Sequence, residues 1–523
     1  MSDKINKKIQ AEHNTKSAVM QRFNALDADK GPIISKAERY ARWTLPNILN
    51  TTKVRPDRTE HQHDFQSIGA RAVNHLANKL AFALFHPGRP FFRLEATHEY
   101  MQKLSEKTGV GETELQAVFG KIERAGMRRF TKWRSRTSAI FALKSIIITG
   151  NSLLYFPDGG KAQAFNFRDF VIKRDLSGKP LEIITRDSKK IETLDEDIKL
   201  QVLSNPDRLR KPDEDADLFT KIVWNHETQK YHILQAVDDF PLSTVNGSYK
   251  NEELPWIPLT WDLQRGADYG VGLVEEYAGD FHALSSLTAS IIVGATIAAD
   301  IKFLVDPAGN TDYKMLNDSD NGSYIPGRKE DIHTFTTEKQ NDWSFVDSMI
   351  NQYERRIGLA FLIGSAVTRE AERVTAEEIR FQAQELETGL GGQYSRLAEE
   401  FQVPMAYILL KDIDFSIQGK EIEPIIITGL ESLSRNSDVE KMLLFLQDLA
   451  NISNLPEPVL RRLQVDKIIA IFGTARSVDY QEFMKSEEQV QQEMEQERQQ
   501  LLEMQQQGAP QEPAGPAPAQ QQV

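Results

Sequence analysis

The chain of 523 residues contains no cysteine. Disulfide staples, zinc–thiolate sites and cysteine nucleophiles are therefore excluded, and the chain suits assembly in a reducing cytoplasm. It also lacks an excess of positive charge. Lys and Arg number 63 against 76 Asp and Glu, a formal net charge of −13. Firm grip on nucleic acid comes from Lys and Arg neutralising phosphates, so this balance argues against it. A surface past which DNA slides without sticking stays compatible. The polar start MSDKINKKIQAEHN has no apolar core and is not a secretory signal. The most apolar run, 284–299, lies between His282 and Asp300 and falls short of the ~20 residues of a membrane span. A soluble protein without a membrane partner is expected.

Catalytic patterns are equally scarce. The GGK at 159–161 suggests a phosphate loop, but the first glycine is missing and Ala162 stands where Ser or Thr should follow. It reads as a turn. No GxSxG, HExxH or Ser/His/Asp order appears. His61, Gln62, His63 and Asp64 put donors at alternate positions of a polar loop with no partner cluster, so a solvated loop is preferred to a metal site. Arg186 beside Asp187 suggests a surface ion pair. The expectation is a protein that is not an enzyme and needs no cofactor or metal. A nuclease or NTPase would require clustered acidic ligands or a P-loop.

What is present is a central stretch, 269–400. Residues 272–299 read as one helix, and 28 residues at ~1.5 Å each give roughly 42 Å. An insert with strand and turn signals follows (KFLVDPAG, GSYIPGR, IHTFT), then a second helix over 342–362. The loop IGSAVTREAE leads to a third helix, where Thr375 is a good N-cap and Glu378 completes a capping box. Two long helices carrying a small β-rich unit make a stalk with a tip.

The flanks fill in a mostly helical α+β class. Residues 5–49 read as helical, resuming after Gly31-Pro32, and 65–85 as an amphipathic helix with Ile68, Ala72, Leu76, Leu80 and Leu84 on one face. FFRLEA is a strand, and 95–135 carries two further helical patterns. Residues 141–262 read as a small antiparallel unit inserted among helices, opening on SIIITGNSLLYFP, a buried apolar strand or helix end with a turn at Asn151, and continuing with strand pairs around turns at 175–178 and 226–230. A helix over 394–411 has Pro404 near a joint, and IEPIIITGLES holds a short strand. Helices are expected at 438–449, 459–471 and 477–504. The Pro/Ala/Gln tail 508–523 is expected to be disordered.

Two features of the centre have two readings each. Small residues, among them Ala289, Gly294 and Ala298, lie on nearly every face of the first long helix. It is either a core helix of one subunit or a helix packed closely against copies of itself, and its length favours the second. The loop 364–372 either joins two helices or projects into a channel, where Ser365, Thr368 and Arg369 would meet phosphate backbone. The mixed charge on the helix after it is a solvated face, or a channel wall that keeps DNA from binding tightly.

Five blocks carry a resemblance: GARAVNHLANKLAFALF (69–85), GNSLLYFP (150–157), YGVGLVEEYAGDFHALSSL (269–287), FLVDPAG (303–309) and RVTAEEIRFQAQELETGLGGQYS (373–395). In order and spacing they are similar to the portal, or head-to-tail connector, proteins of short-tailed bacteriophages (podoviruses) of the T-seven-like, autographivirus group. The resemblance runs from about residue 18 to 472.

The resemblance implies a phage portal fold in a ring oligomer of twelve subunits at one capsid vertex of the virion, assembled in the bacterial host cytoplasm. Double-stranded genomic DNA would pass through its channel during packaging and ejection. It further implies an N-terminal tail (1–17), a wing (18–268, with its β-rich insert at 141–262), stem helices (269–299 and 342–362) and a clip (300–341) between them. A tunnel loop (363–372), a channel helix (373–401), a crown (402–475) and a C-terminal helix or barrel (476–507) would follow, before the tail. Arg373 and Arg380 join the candidate DNA contacts, and Ala289, Gly294 and Ala298 would pack the stem. Implied partners are the terminase large subunit and tail adaptor at the clip, with scaffolding, major capsid and internal core proteins. The alternative is a monomeric adaptor or scaffolding protein of virion assembly.

Overall fold

A computed structural model describes residues 18–49, 63–86, 90–96, 100, 103, 112–157, 160–204, 210–242, 247–299, 302–335, 340–364, 385–413, 422–426 and 447. All but Gln447 belong to one compact unit within residues 1–431. The expected helices at 438–449, 459–471 and 477–504, the tail 508–523 and the start 1–17 lie outside the described residues.

Helix α1 (Ala18–Trp43) runs unbroken through Pro32, where the sequence suggested an interruption. Gly31 faces open space, while Leu26, Lys30, Ile34 and Ala37 are buried along the other side. Packing of that stripe outweighs the one backbone hydrogen bond that proline removes. Helix α2 (Ile68–Leu84) buries Ala72, Leu76, Leu80 and Leu84 as the four-residue spacing predicts. Strand β1 (Phe92–Ala96) follows, then helix α3 (Glu112–Lys132).

The next segment takes the helical of its two readings, and the β-rich unit starts later than expected. The β-branched run Ile146–Ile147–Ile148–Thr149 belongs to helix α4 (Ser135–Thr149), so the β-rich part begins ten residues later than 141. All four residues are buried, and burial on every side overrides strand propensity. A left-handed Gly150 (φ 77°) ends α4. Three strands make a small sheet in the order β10-β2-β3: β2 (Asn151–Tyr155), β3 (Gln163–Phe165) and β10 (Trp256–Thr260). A larger antiparallel sheet holds β4 (Phe170–Arg174), β5 (Pro180–Lys190), β6 (Asp215–Asn225) and β7 (Lys230–Val237), with the short β8 (Phe240–Pro241) and β9 (Ser248–Tyr249) both on β7. The β4–β5 and β6–β7 turns fall at the two predicted places, and a third, unpredicted turn at Asp238–Asp239 joins β7 to β8. Helix α5 (Glu196–Leu203) between β5 and β6 had no reading in the sequence.

The predicted single helix at 272–299 is two. A short α6 (Leu273–Glu276) stops at Tyr277, and α7 (Ala278–Ala299) continues. Twenty-two residues span about 33 Å, not 42 Å. At the far end β11 (Lys302–Val305) pairs antiparallel with β12 (Ile332–Phe335), with helix α8 (Tyr313–Asn317) between them in the chain. Helix α9 (Gln340–Ala360) then returns along α7. Further on are α10 (Gln393–Leu397), a π-helical turn (Ala398–Gln402), α11 (Val403–Asp412) and β13 (Ile422–Ile426), which pairs with β1. The π turn sits just before Pro404, the expected joint. One large core joins α1–α4, both sheets, the inner ends of α7 and α9, and α11.

Candidate functional site

The helix pair α7/α9 is rooted by aromatic packing. Phe281, Leu284, Ile357 and Phe361 are fully buried at its inner end. The Phe281 and Phe361 rings meet edge to face at 5.9 Å, and Trp43 of α1 stacks on Phe281 at 6.4 Å. Just before the root, Asn151 acts as a bolt. Its Nδ2 donates to the Gly270 carbonyl (2.9 Å), and the Gly270 N–H donates back to its Oδ1 (2.8 Å). Backbones approach so closely here that a Cβ at Gly150 would lie 2.3 Å from the Gly270 oxygen. Asp268 completes the junction, accepting from Lys173 Nζ (2.6 Å) and the Arg174 N–H (2.8 Å) of β4.

Beyond Leu284 the character reverses. Val293 and Ile297 on α7 are 59% and 62% exposed, and Phe345 and Leu359 on α9 67% and 66%. The stretch Ala278–Ile297 is long and apolar enough to cross a membrane, yet most of it is not buried. Counting from Leu284 fell short because the helix starts six residues earlier. Of the small residues, Ala289 is half-buried and lines a cleft of about 1170 Å³ with Trp43, Phe65, His282 and Ser286. Gly294 is half-buried further along, and Ala298 stands in the last turn.

The tip is held by one buried carboxylate. Asp331 accepts from the Asn310 N–H (3.1 Å) and the Thr311 hydroxyl (2.8 Å), and Thr311 Oγ1 accepts from the Arg328 N–H (2.9 Å). Around this frame Phe303, Leu304, Tyr313, Met315 and Tyr324 stand exposed.

The five channel candidates, Ser365, Thr368, Arg369, Arg373 and Arg380, lie outside the described residues. The ends of their segment are described, and both meet α2. His75 Nε2 donates to the Leu362 carbonyl (3.1 Å), and Lys79 Nζ pairs with Glu385 (2.6 Å). Desolvation is the main cause that holds the His75 pKa below the usual histidine value, helped by Lys79 and Arg71 and opposed by the Leu362 carbonyl and Glu385. Sequence reading missed both residues. Their partners are 287 and 306 positions away, and no local pattern encodes such pairs.

Other candidates resolve into structure. Arg186 pairs with Asp169 at 3.4 Å rather than with Asp187, since adjacent strand residues point to opposite faces. Asp64 accepts from Ser285 Oγ at 2.7 Å, tying its loop to α7. Among the described residues no group of three or more His, Asp or Glu could hold a metal ion.

Comparison with known proteins completes the picture. The family described as "Bacteriophage head to tail connecting protein" matches residues 16–484. The portal protein of Enterobacteria phage SP6 is 32% identical over 485 residues, covering 92% of this chain and 93% of the relative. That of Escherichia phage T7 is 32% identical over 503 residues (94% and 92%), and that of Pseudomonas phage phiKMV 34% over 481 (91% and 93%). Among solved structures, the neck of a native gene transfer agent particle computed with C12 symmetry aligns over 78% of this chain and 89% of that one. Its identity is 12% and its TM-score 0.32, too low to bear on the argument. Family match and near full-length relatives agree: the chain belongs to the bacteriophage head-to-tail connecting proteins, the structural portal proteins at the head–tail connection of tailed-phage virions.

Proposed function

We propose that copies of this chain form a ring of twelve around a channel for double-stranded DNA, used in genome packaging and ejection. The carrying observation is the α7/α9 pair, whose outer half is apolar and uncovered in one chain. Neighbouring copies would cover it, with Ala289, Gly294 and Ala298 allowing close helix approach. In this reading 269–299 and 342–362 are the stem, 300–341 the clip, 18–268 the wing and 402–475 the crown. The exposed aromatic residues of the tip suit docking of the terminase large subunit and then the tail adaptor. Scaffolding, major capsid and internal core proteins would meet other parts, with assembly in the host cytoplasm. The tunnel loop 363–372 and the helix from Arg373 would border the channel, where Ser365, Thr368, Arg369, Arg373 and Arg380 face phosphate. The protein acts as a conduit rather than an enzyme, consistent with the missing phosphate loop.

Negative-stain electron microscopy with a mass measurement tests this reading. Rings with a central hole, near twelve times 59.4 kDa, are expected. A monodisperse monomer at high concentration, with or without scaffolding protein, would return the monomeric adaptor or scaffold reading to first place.

A further inference from the structure

We propose that His75 and Lys79 of α2 are positioning residues that clamp both ends of the segment 365–384 to one helix face. They are four residues apart, so they share that face. The chain leaves α9 through Phe361–Gly364, with Leu362 in the left-handed region (φ 56°), a conformation uncommon for a bulky residue. Its carbonyl is turned to receive the His75 Nε2 hydrogen. The chain returns at Glu385, whose carboxylate meets Lys79; the two side chains are 20% and 6% exposed. A third contact joins the ends directly. A Cβ on Gly389 would lie 2.9 Å from Leu362 Cδ2, so the glycine makes room for the departing chain's leucine on the returning one. Leu386, fully buried, anchors the return beside Glu385.

Exit and re-entry are thus fixed relative to each other by one helix turn, and 22 residues (363–384) lie between Leu362 and Glu385. The Lys79–Glu385 pair is shielded enough to be directional, and His75 adds a hydrogen bond that a hydrophobic residue cannot replace. A clamp of this kind sets where the segment starts and where it ends. Its consequence for DNA rests on the channel reading given above.

Hydrogen–deuterium exchange of the full-length protein tests the clamp, read on peptides covering 358–364 and 385–390, with β5–β7 as the folding control. Lys79→Met is expected to speed exchange in 385–390 about tenfold, and His75→Leu to do the same in 358–364, while the sheet stays unchanged. His75→Gln keeps an N–H donor, and the reversed pair Lys79→Glu with Glu385→Lys keeps the attraction; both should restore protection. Unchanged exchange in the single variants, or failure of both restoring variants, overturns the clamp. Should Lys79→Met unfold the sheet, Glu385→Gln, which keeps shape and removes charge, decides in its place. DNA retention in particles carrying the same variants separates the two readings. Loss of retention with faster exchange supports both. Faster exchange with full retention supports the clamp and removes the segment from the channel.

Discussion

Lys30 shows what single residues do in this fold. It is fully buried, and its Nζ donates to the carbonyls of Phe167 and Phe170, the latter at 2.6 Å. The rings of Phe167, Phe170 and Tyr269 surround it at 4.0, 4.8 and 5.4 Å. One ammonium thereby ties α1 to the start of β4 and to Tyr269, just before α6. Loss of water is the largest effect and pulls the pKa down to about 7; Asp27 and Asp169 favour the charged form, while Arg168 and Arg186 oppose it. Because the folded value lies below the unfolded value of 10.5, the unfolded chain binds more protons between the two. Stability from this group therefore rises as pH goes from 7 toward 10. Lys30→Met should flatten that rise by up to a few kcal/mol, read from urea midpoints across this window. An identical slope in wild type and variant would mean that Lys30 does not titrate there. Nothing in the sequence marks this lysine as buried. It stands on a charged helix among Asp27, Asp29 and Lys36, and only the Phe167–Phe170 corner makes it internal.

At the scale of elements, α7 and α9 combine a rooted inner end with an uncovered outer half. Val293 and Ile297 touch little within one chain, so Val293→Asp or Ile297→Asp should change the stability of the single chain by no more than about 0.5 kcal/mol. The same charges buried between helices of neighbouring copies would have no partner and would prevent close packing. We expect normal denaturation midpoints together with loss of rings in sedimentation velocity. Rings that form as in wild type would show that this face is not the contact between copies. The helix pair was legible in the sequence because its helical pattern is long and runs on both sides of the insert's strand and turn signals. The break at Tyr277 was not legible, since Gly272 to Glu276 fit the helical pattern equally well.

For the whole molecule, the charge balance and the proposed conduit belong together. A duplex carries one charge per ~1.7 Å of axis, and a strongly basic bore would hold it through counterion release. With a net charge of −13, a few arginines in the proposed channel would touch DNA without arresting it. Arg373→Ala together with Arg380→Ala should reduce packaged DNA or its retention about tenfold while rings still assemble, measured by genome content of purified particles. Unchanged packaging and retention would remove both residues from the channel.

The sequence by itself determined the class, the stalk with its tip, the positions of the β-hairpin turns and, through five spaced blocks, the family. These are properties of local pattern: period 3.6 or 2, glycine and asparagine at turns, and the order of segments along the chain. The tertiary structure decided what depends on residues far apart. It kept α1 helical through Pro32, made a helix of the isoleucine run before Gly150, and divided the predicted stem helix at Tyr277. It gave Arg186 to Asp169, and it brought His75 and Lys79 to the two ends of one segment. Burial and long-range pairing set these outcomes, and both arise only once the chain has closed on itself.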